Sequence, residues 1–158
     1  MAKARITVES DFDELVTDLL LIAKEFPELI VEAAEAEMEV FESAIKRNWT
    51  SMVPWAHTGD YVYDSIGYNV AIAPSTGDVV GMAGVFLIDS VGDKHGKEKK
   101  DIKAPQLAYW AEFGFTPNNG RPHAGVPFMS NAFHATLAER EKVFANTLSA
   151  GISKRMKK

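Results

Sequence analysis

Apolar positions recur along this chain with two different periods, and the change of period divides it. Phe12, Leu15, Val16, Leu19 and Ile22 fall three or four apart, as they do on one face of an α-helix. Ser10 and Asp13 precede them like a capping box, with Asp in place of the usual Glu. Pro27 interrupts the run. Proline lacks a donor and sits best at the start of a helix, so a kink or break is expected near Glu25–Pro27. A longer helix is predicted from there to about Trp49, with Ile30, Ala34, Met38, Phe41, Ile45 and Trp49 as its apolar stripe. Glu32, Glu35, Glu39 and Glu42 fall mainly on the other face.

After a connector broken by Pro54 and Gly59, the period becomes two. Ile66, Tyr68, Val70 and Ile72 alternate with Ser65, Gly67, Asn69 and Ala71, the pattern of a half-buried strand. Pro74 to Asp78 supplies turn chemistry, and Val80, Met82, Gly84, Phe86 and Ile88 mark a second strand. The two are expected to pair as an antiparallel hairpin. Ser90 to Lys103 is the most polar window, with two glycines, five lysines and almost no apolar residue. Such a segment cannot bury enough surface to offset its ordering entropy, so a mobile loop is expected over about 90–103.

The stretch from Ala104 to Ala132 is rich in aromatics. A short helix carrying Leu107, Tyr109, Trp110 and Phe113 is predicted to stop at Gly114. A polar hairpin or loop follows, and Arg121-Pro122 and Val126-Pro127-Phe128 lead into a last helix from near Pro127 to about Ile152. Met129, Phe133, Leu137, Phe144, Leu148 and Ile152 form its apolar spacing, with Arg140–Glu141 as a polar interruption. The stretch reads as a clasp between two elements, and such a clasp can also carry a protein contact. The fold class is α+β: a long N-terminal helical region and a C-terminal helix packed on a small, mainly antiparallel sheet. One domain is expected over residues 1–158, since neither a repeat nor a second domain is apparent.

Composition narrows the chemistry. The 158-residue chain has no cysteine, which excludes a disulfide framework, a Cys-ligated zinc site and a cysteine nucleophile. Its N-terminus lacks the apolar core of a signal peptide, and the Leu19–Ala23 run is far too short to span a membrane. The net charge of −5 hides an asymmetry. Glu9 to Glu42 is dense in carboxylates with only Lys24 in opposition, whereas lysines gather at 94–103 and at 154–158. These are read as solvated helix faces and a flexible basic tail over about 153–158. The sharper alternative is charge complementarity between neighbouring copies.

Four histidines invite a metal site, yet His57, His95, His123 and His134 contain neither an i, i+4 pair nor an HExxH motif. The Gly92–Lys97 segment lacks the spacing of a phosphate loop, and no GxSxG motif occurs. Asp60, Asp64, Asp78, Asp89 and Asp93 sit at turns or strand ends, where aspartates bond local backbone. The aromatics are not interleaved with basic residues, and the overall charge repels phosphate. No cofactor, no metal and no catalytic activity are therefore expected. The rival readings are a small metal-dependent hydrolase built on the histidines and aspartates, and a DNA-binding module using Lys94, Lys97, Lys99, Lys100 and Lys103.

One ordered series of short motifs remains. Thr58-Gly59 is followed by Asp64-Ser65-Ile66 at the entry to a strand, a variable polar loop comes next, then Tyr109-Trp110-Ala111-Glu112-Phe113-Gly114, then Arg121-Pro122 and Pro127-Phe128-Met129. In this order, over about Trp49 to the C-terminus, the chain resembles the neck or tail-completion (head–tail joining) proteins of long-tailed bacteriophages. Tyr61-Val62-Tyr63 lengthens the first motif, and Phe115 displaces the Thr that usually follows Glu-Phe-Gly to Thr116.

The resemblance implies a non-enzymatic virion protein, made in the host bacterial cytoplasm, that forms a head-to-tail ring of about six or twelve copies. Its partners would be itself and the adjacent head-closure and tail-terminator or tail-tube proteins. Genomic DNA would pass through without sequence-specific binding, and no membrane is involved. A tail terminator or minor capsid protein of the same particle is the near alternative. Glu112, Phe113, Gly114, Arg121 and Phe128 are the candidate contact residues, and Lys94, Lys97, Lys99, Lys100 and Lys103 a candidate assembly loop. Glu32, Glu35, Glu39 and Glu42 form a candidate lumen or inter-subunit face. Each contact residue also has a plainer use: Phe113 and Phe128 as core, Gly114 as a helix C-cap, Arg121 as a partner for Glu112.

Overall fold

The computed structural model describes residues 26–58, 60–86, 103–118 and 120–156. The predicted N-terminal helix and the Lys94–Lys100 part of the polar loop lie outside the described residues. The elements in order are helices α1 (Pro27–Met52) and α2 (Tyr61–Asp64), strands β1 (Ile66–Ile72) and β2 (Val79–Val85), helix α3 (Ala104–Phe113), strands β3 (Gly114–Phe115) and β4 (His123–Ala124), and helix α4 (Phe128–Met156). The fold is α+β, two long helices with small antiparallel two-stranded sheets.

Pro27 stands in the first turn of α1, where its missing N–H costs nothing. The buried side of α1 holds Leu29, Ala33, Ala34, Met38, Phe41, Ala44, Ile45 and Trp49. That band is wider than the predicted stripe, and Ile30 is only half-buried. The reason is that α1 has two neighbours. Its Leu29–Ala33 side meets Leu148 of α4, and its Met38–Ile45 side packs with Tyr68, Val70, Ala83 and Val85 of the β1–β2 hairpin. The helix lies between these partners with its remaining side in solvent.

The hairpin is antiparallel as predicted, with Ile66 opposite Val85 and Ile72 opposite Val79. Its inner face is Ile66, Tyr68 and Val70 with Ala83 and Val85. Val80 and Met82 of the predicted second-strand pattern point away and are exposed, and so is Ile72 at the open end. Phe86 follows the strand, its N–H donating to the Ser65 carbonyl at 2.9 Å.

Helix α4 runs antiparallel to α1. Phe128 meets Trp49 near one end, and Gly151 lies against Leu29 near the other. A Cβ at Gly151 would stand 2.8 Å from the Leu29 side chain, so this approach needs the small residue. The predicted apolar spacing of α4 requires correction. Its buried residues are Phe128, Ala132, Thr136, Arg140 and Leu148, which with the half-buried Phe144 make a row that steps by four. Such a row drifts about 40° around a straight helix at each step, so the seam winds diagonally and leaves Phe133 and Leu137 exposed. The C-terminal tail is corrected as well, since α4 continues through Lys154 and Arg155. Arg155 pairs there with Glu28 and lies 4.8 Å from the centre of the Phe26 ring.

Arg140 is part of the seam rather than an interruption of it. Its guanidinium is buried between the Phe41 and Phe133 rings, 4.9 and 4.6 Å from their centres, and donates through Nη1 to Glu37 at 3.1 Å. Contact of the guanidinium with two aromatic faces and a part-buried ion pair offset part of the desolvation of the charge, while the buried Nε has no hydrogen-bond partner among the described residues. Among the described residues, no helix is long and apolar enough to cross a membrane.

Candidate functional site

The clasp predicted at Ala104–Ala132 forms, and its geometry follows from two backbone needs. Helix α3 ends at Gly114, whose φ of 81° is open to glycine and strained for other residues. The chain reverses, and Gly114–Phe115 pairs with His123–Ala124. The Val126 N–H then donates to the Ala111 carbonyl at 2.6 Å, which brings the chain back along α3. Gly114 and Gly125 meet so closely that a Cβ on Gly114 would lie 2.4 Å from the His123 carbonyl oxygen. One on Gly125 would lie 2.4 Å from the Glu112 carbonyl oxygen.

The second need is that of α4. The first N–H groups of any helix lack intrahelical partners, and the residue before Phe128 is a proline with no capping side chain. Glu112 supplies the cap from α3. Its Oε2 accepts from the Met129 N–H at 2.8 Å, and its Oε1 from the Ser130 N–H at 3.0 Å and from the Ser130 hydroxyl. The carboxylate is buried, and its charge faces the positive end of the α4 dipole.

A parallel arrangement holds the adjoining part of the core. Asp60 caps α2 by accepting from the Tyr63 N–H at 2.7 Å. It also accepts from the His57 N–H at 3.0 Å and from the indole Nε1–H of Trp49 at 2.9 Å. Trp49 is fully buried and packs edge-on to Trp55 and Phe128. Asp60 thus bonds local backbone, as turn aspartates do, but also holds the largest core side chain from eleven residues away. Its negative charge adds to burial in pushing the Tyr61 hydroxyl above its ordinary value; burial is the larger cause.

The five candidate contact residues therefore separate. Phe128 is in the core, and Glu112 is occupied by α4. Gly114 is the half-buried C-cap of α3. Phe113 is not core: it is 68 % exposed, beside Tyr109 at 60 %, and their rings are 4.8 Å apart. Arg121 is exposed and makes no bridge to Glu112. Next to the Tyr109–Phe113 pair, Trp110, Phe115 and His123 stack in sequence, with ring centres 5.3 and 4.8 Å apart. Of the candidate assembly loop, only Lys103 lies among the described residues, and it is exposed immediately before α3.

The acidic face of α1 stands on the helix side opposite the core. Glu32, Glu35 and Glu39 are exposed, and Glu42 is half-buried. Glu42 pairs with Lys46 one turn on, and the Tyr68 hydroxyl donates to Glu39 at 3.2 Å. Desolvation, followed by the charges of Glu39, Glu35 and Glu42, raises the Tyr68 hydroxyl above its ordinary value. Between this face and α4 runs an open groove of about 420 Å³, lined by Glu39, Ser43, Arg47, Thr136 and Glu139 among others. Among the described residues, no three His, Asp or Glu side chains stand together as metal ligands. No protein-family model matches this chain, and neither does any curated protein or solved structure compared with it.

The sequence did not reveal that Glu112 is a cap. The signal was present in a weak form: an acidic residue on an aromatic helix, and a following helix that begins at proline without a cap of its own. The Trp49–Asp60 bond left no sequence signal beyond a turn aspartate.

Proposed function

We propose that this chain is a structural component of the head–tail connector of a long-tailed bacteriophage, a neck or tail-completion protein that assembles as a ring. The observation that carries the reading is the ordered series of motifs from Thr58 to Met129. The geometry supports it by giving those motifs a common use. Ser65-Ile66 opens β1, Glu112-Phe113-Gly114 closes α3, and Pro127-Phe128 begins α4. These are the joints that set the angles between elements, which is what a scaffold protein must hold constant.

A cyclic ring also requires two different surfaces on each copy, because a head-to-tail contact joins unlike patches. This protomer has a candidate pair: an acidic ridge along α1, and an exposed aromatic edge on α3. The test is the mass of the purified protein by light scattering over a concentration series, together with immunolabelling of intact virions. The reading expects a closed ring of about six or twelve copies and label at the junction of head and tail. A monomer at every concentration, with no label on virions, removes it.

A further inference from the structure

The α3 edge and the α1 ridge differ in charge as well as in chemistry. Between Lys103 and Pro127 the one carboxylate is Glu112, and it is buried under α4. The exposed charges of this segment are Lys103, immediately before α3, and Arg121, between β3 and β4; in sequence they stand on either side of the exposed Tyr109 and Phe113. Along α1, from Glu28 to Glu42, every charged residue is a glutamate. Glu37 is drawn into the seam by Arg140, which leaves Glu28, Glu32, Glu35 and Glu39 exposed. From Glu28 to Glu39 the ridge spans about 17 Å of helix. It occupies the N-terminal part of α1, whereas α3 shares its core cluster with the C-terminal part, around Trp49 and Val53. The patches share no residue, so one copy can use both at once.

We propose that Tyr109 and Phe113, together with Lys103 and Arg121, dock on the Glu32–Glu39 ridge of α1 in the next copy of this chain. The inference rests on the ring reading above and names its contact. Aromatic and Arg side chains are the usual anchors of interfaces, and a single one often dominates the affinity. Opposite charges around them set register and suppress like-to-like pairing. Two α1 ridges facing each other would repel, and so would two basic edges, which disfavours either patch meeting its own copy.

The chain has no cysteine, so introduced thiols report the contact cleanly. Full-length Glu35→Cys and Arg121→Cys chains are mixed and oxidised under conditions where the wild type is assembled. The contact predicts a mixed disulfide well above either like-to-like product. Phe113→Ser is expected to weaken assembly roughly thirtyfold, the loss typical of a hot spot. Arg121→Glu is expected to weaken it too, with recovery when Glu32→Arg and Glu35→Arg are added to the same chain. Since all these side chains are exposed, thermal melting is expected to stay close to wild type.

If the wild type assembles but the Glu35→Cys and Arg121→Cys chains give no mixed disulfide, the docking contact alone is overturned. The same holds if Phe113→Ser and Arg121→Glu leave assembly unchanged; in that case the ridge is free to face the ring's channel. A wild type that never assembles, alone or on particles, overturns the ring reading and the contact with it.

Discussion

Replacing Glu112 by alanine is expected to destabilise the protein through a helix that Glu112 does not belong to. The substitution removes the acceptor of two α4 N–H groups and of the Ser130 hydroxyl. Loss of a helix cap costs about 0.5–2 kcal/mol. A hydrogen bond to a charged group contributes about 1.5–3 kcal/mol, and here Met129 is half-buried while Ser130 reaches solvent. Water can therefore satisfy Ser130 more readily than Met129, and the sum comes to about 2–4 kcal/mol. With a urea dependence of about 2 kcal/mol per molar, the unfolding midpoint should fall by about 1–2 M. Glu112→Gln keeps an acceptor but turns an amide N–H₂ toward a donor, and about 1–2 kcal/mol is expected. Amide hydrogen exchange localises the effect, since Met129 and Ser130 should lose protection before the rest of α4. The control is Glu141→Ala, exposed on the same helix, expected within about 0.5 kcal/mol of wild type. If Glu112→Ala matches that control, the capping argument is wrong.

Three other substitutions test separate parts of the fold. Gly114→Ala places a methyl group 2.4 Å from the His123 carbonyl and strains a φ of 81°; a loss of about 3 kcal/mol or more is expected by urea unfolding. Glu37→Ala leaves the buried Arg140 guanidinium without its carboxylate and should cost about 2–4 kcal/mol. Arg140→Met, which fills the same seam without a charge, should cost less; the reverse order would refute the assignment. Tyr61 and Tyr68 both keep their protons to higher pH in the folded chain than the ordinary phenol value of about 10. The stabilisation from these raised values is fully present below the unfolded value and is lost as pH rises through the folded one. Stability should therefore fall above about pH 10, and Tyr68→Phe should flatten that fall. Tyrosinate absorbance followed through the titration checks both.

Local pattern carried the elements of this fold. The helix start at Pro27, the alternation from Ile66 to Ile72 and the glycine stop at Gly114 are effects of a residue on its own backbone and nearest neighbours. Each placed an element within a few residues of where it forms. The acidic side of α1 was legible for the same reason, because a helix surface follows from its period.

The faces that meet, and the polar groups that hold them, were set by partners far along the chain. A period assigns a face to α4 only for a straight contact; the diagonal seam with α1 exchanged Phe133 and Leu137 for Thr136 and Arg140. The alternation of β2 marked a strand but not which side would meet α1. The uses of Glu112 and Asp60 were likewise fixed by distance in space: one carboxylate met an uncapped helix start seventeen residues on, the other a buried indole eleven residues back. Backbone conformation is a local property of this sequence, and satisfying its buried donors is a tertiary one. That division explains why Phe113 stayed exposed while Phe128, in the same clasp, was taken into the core.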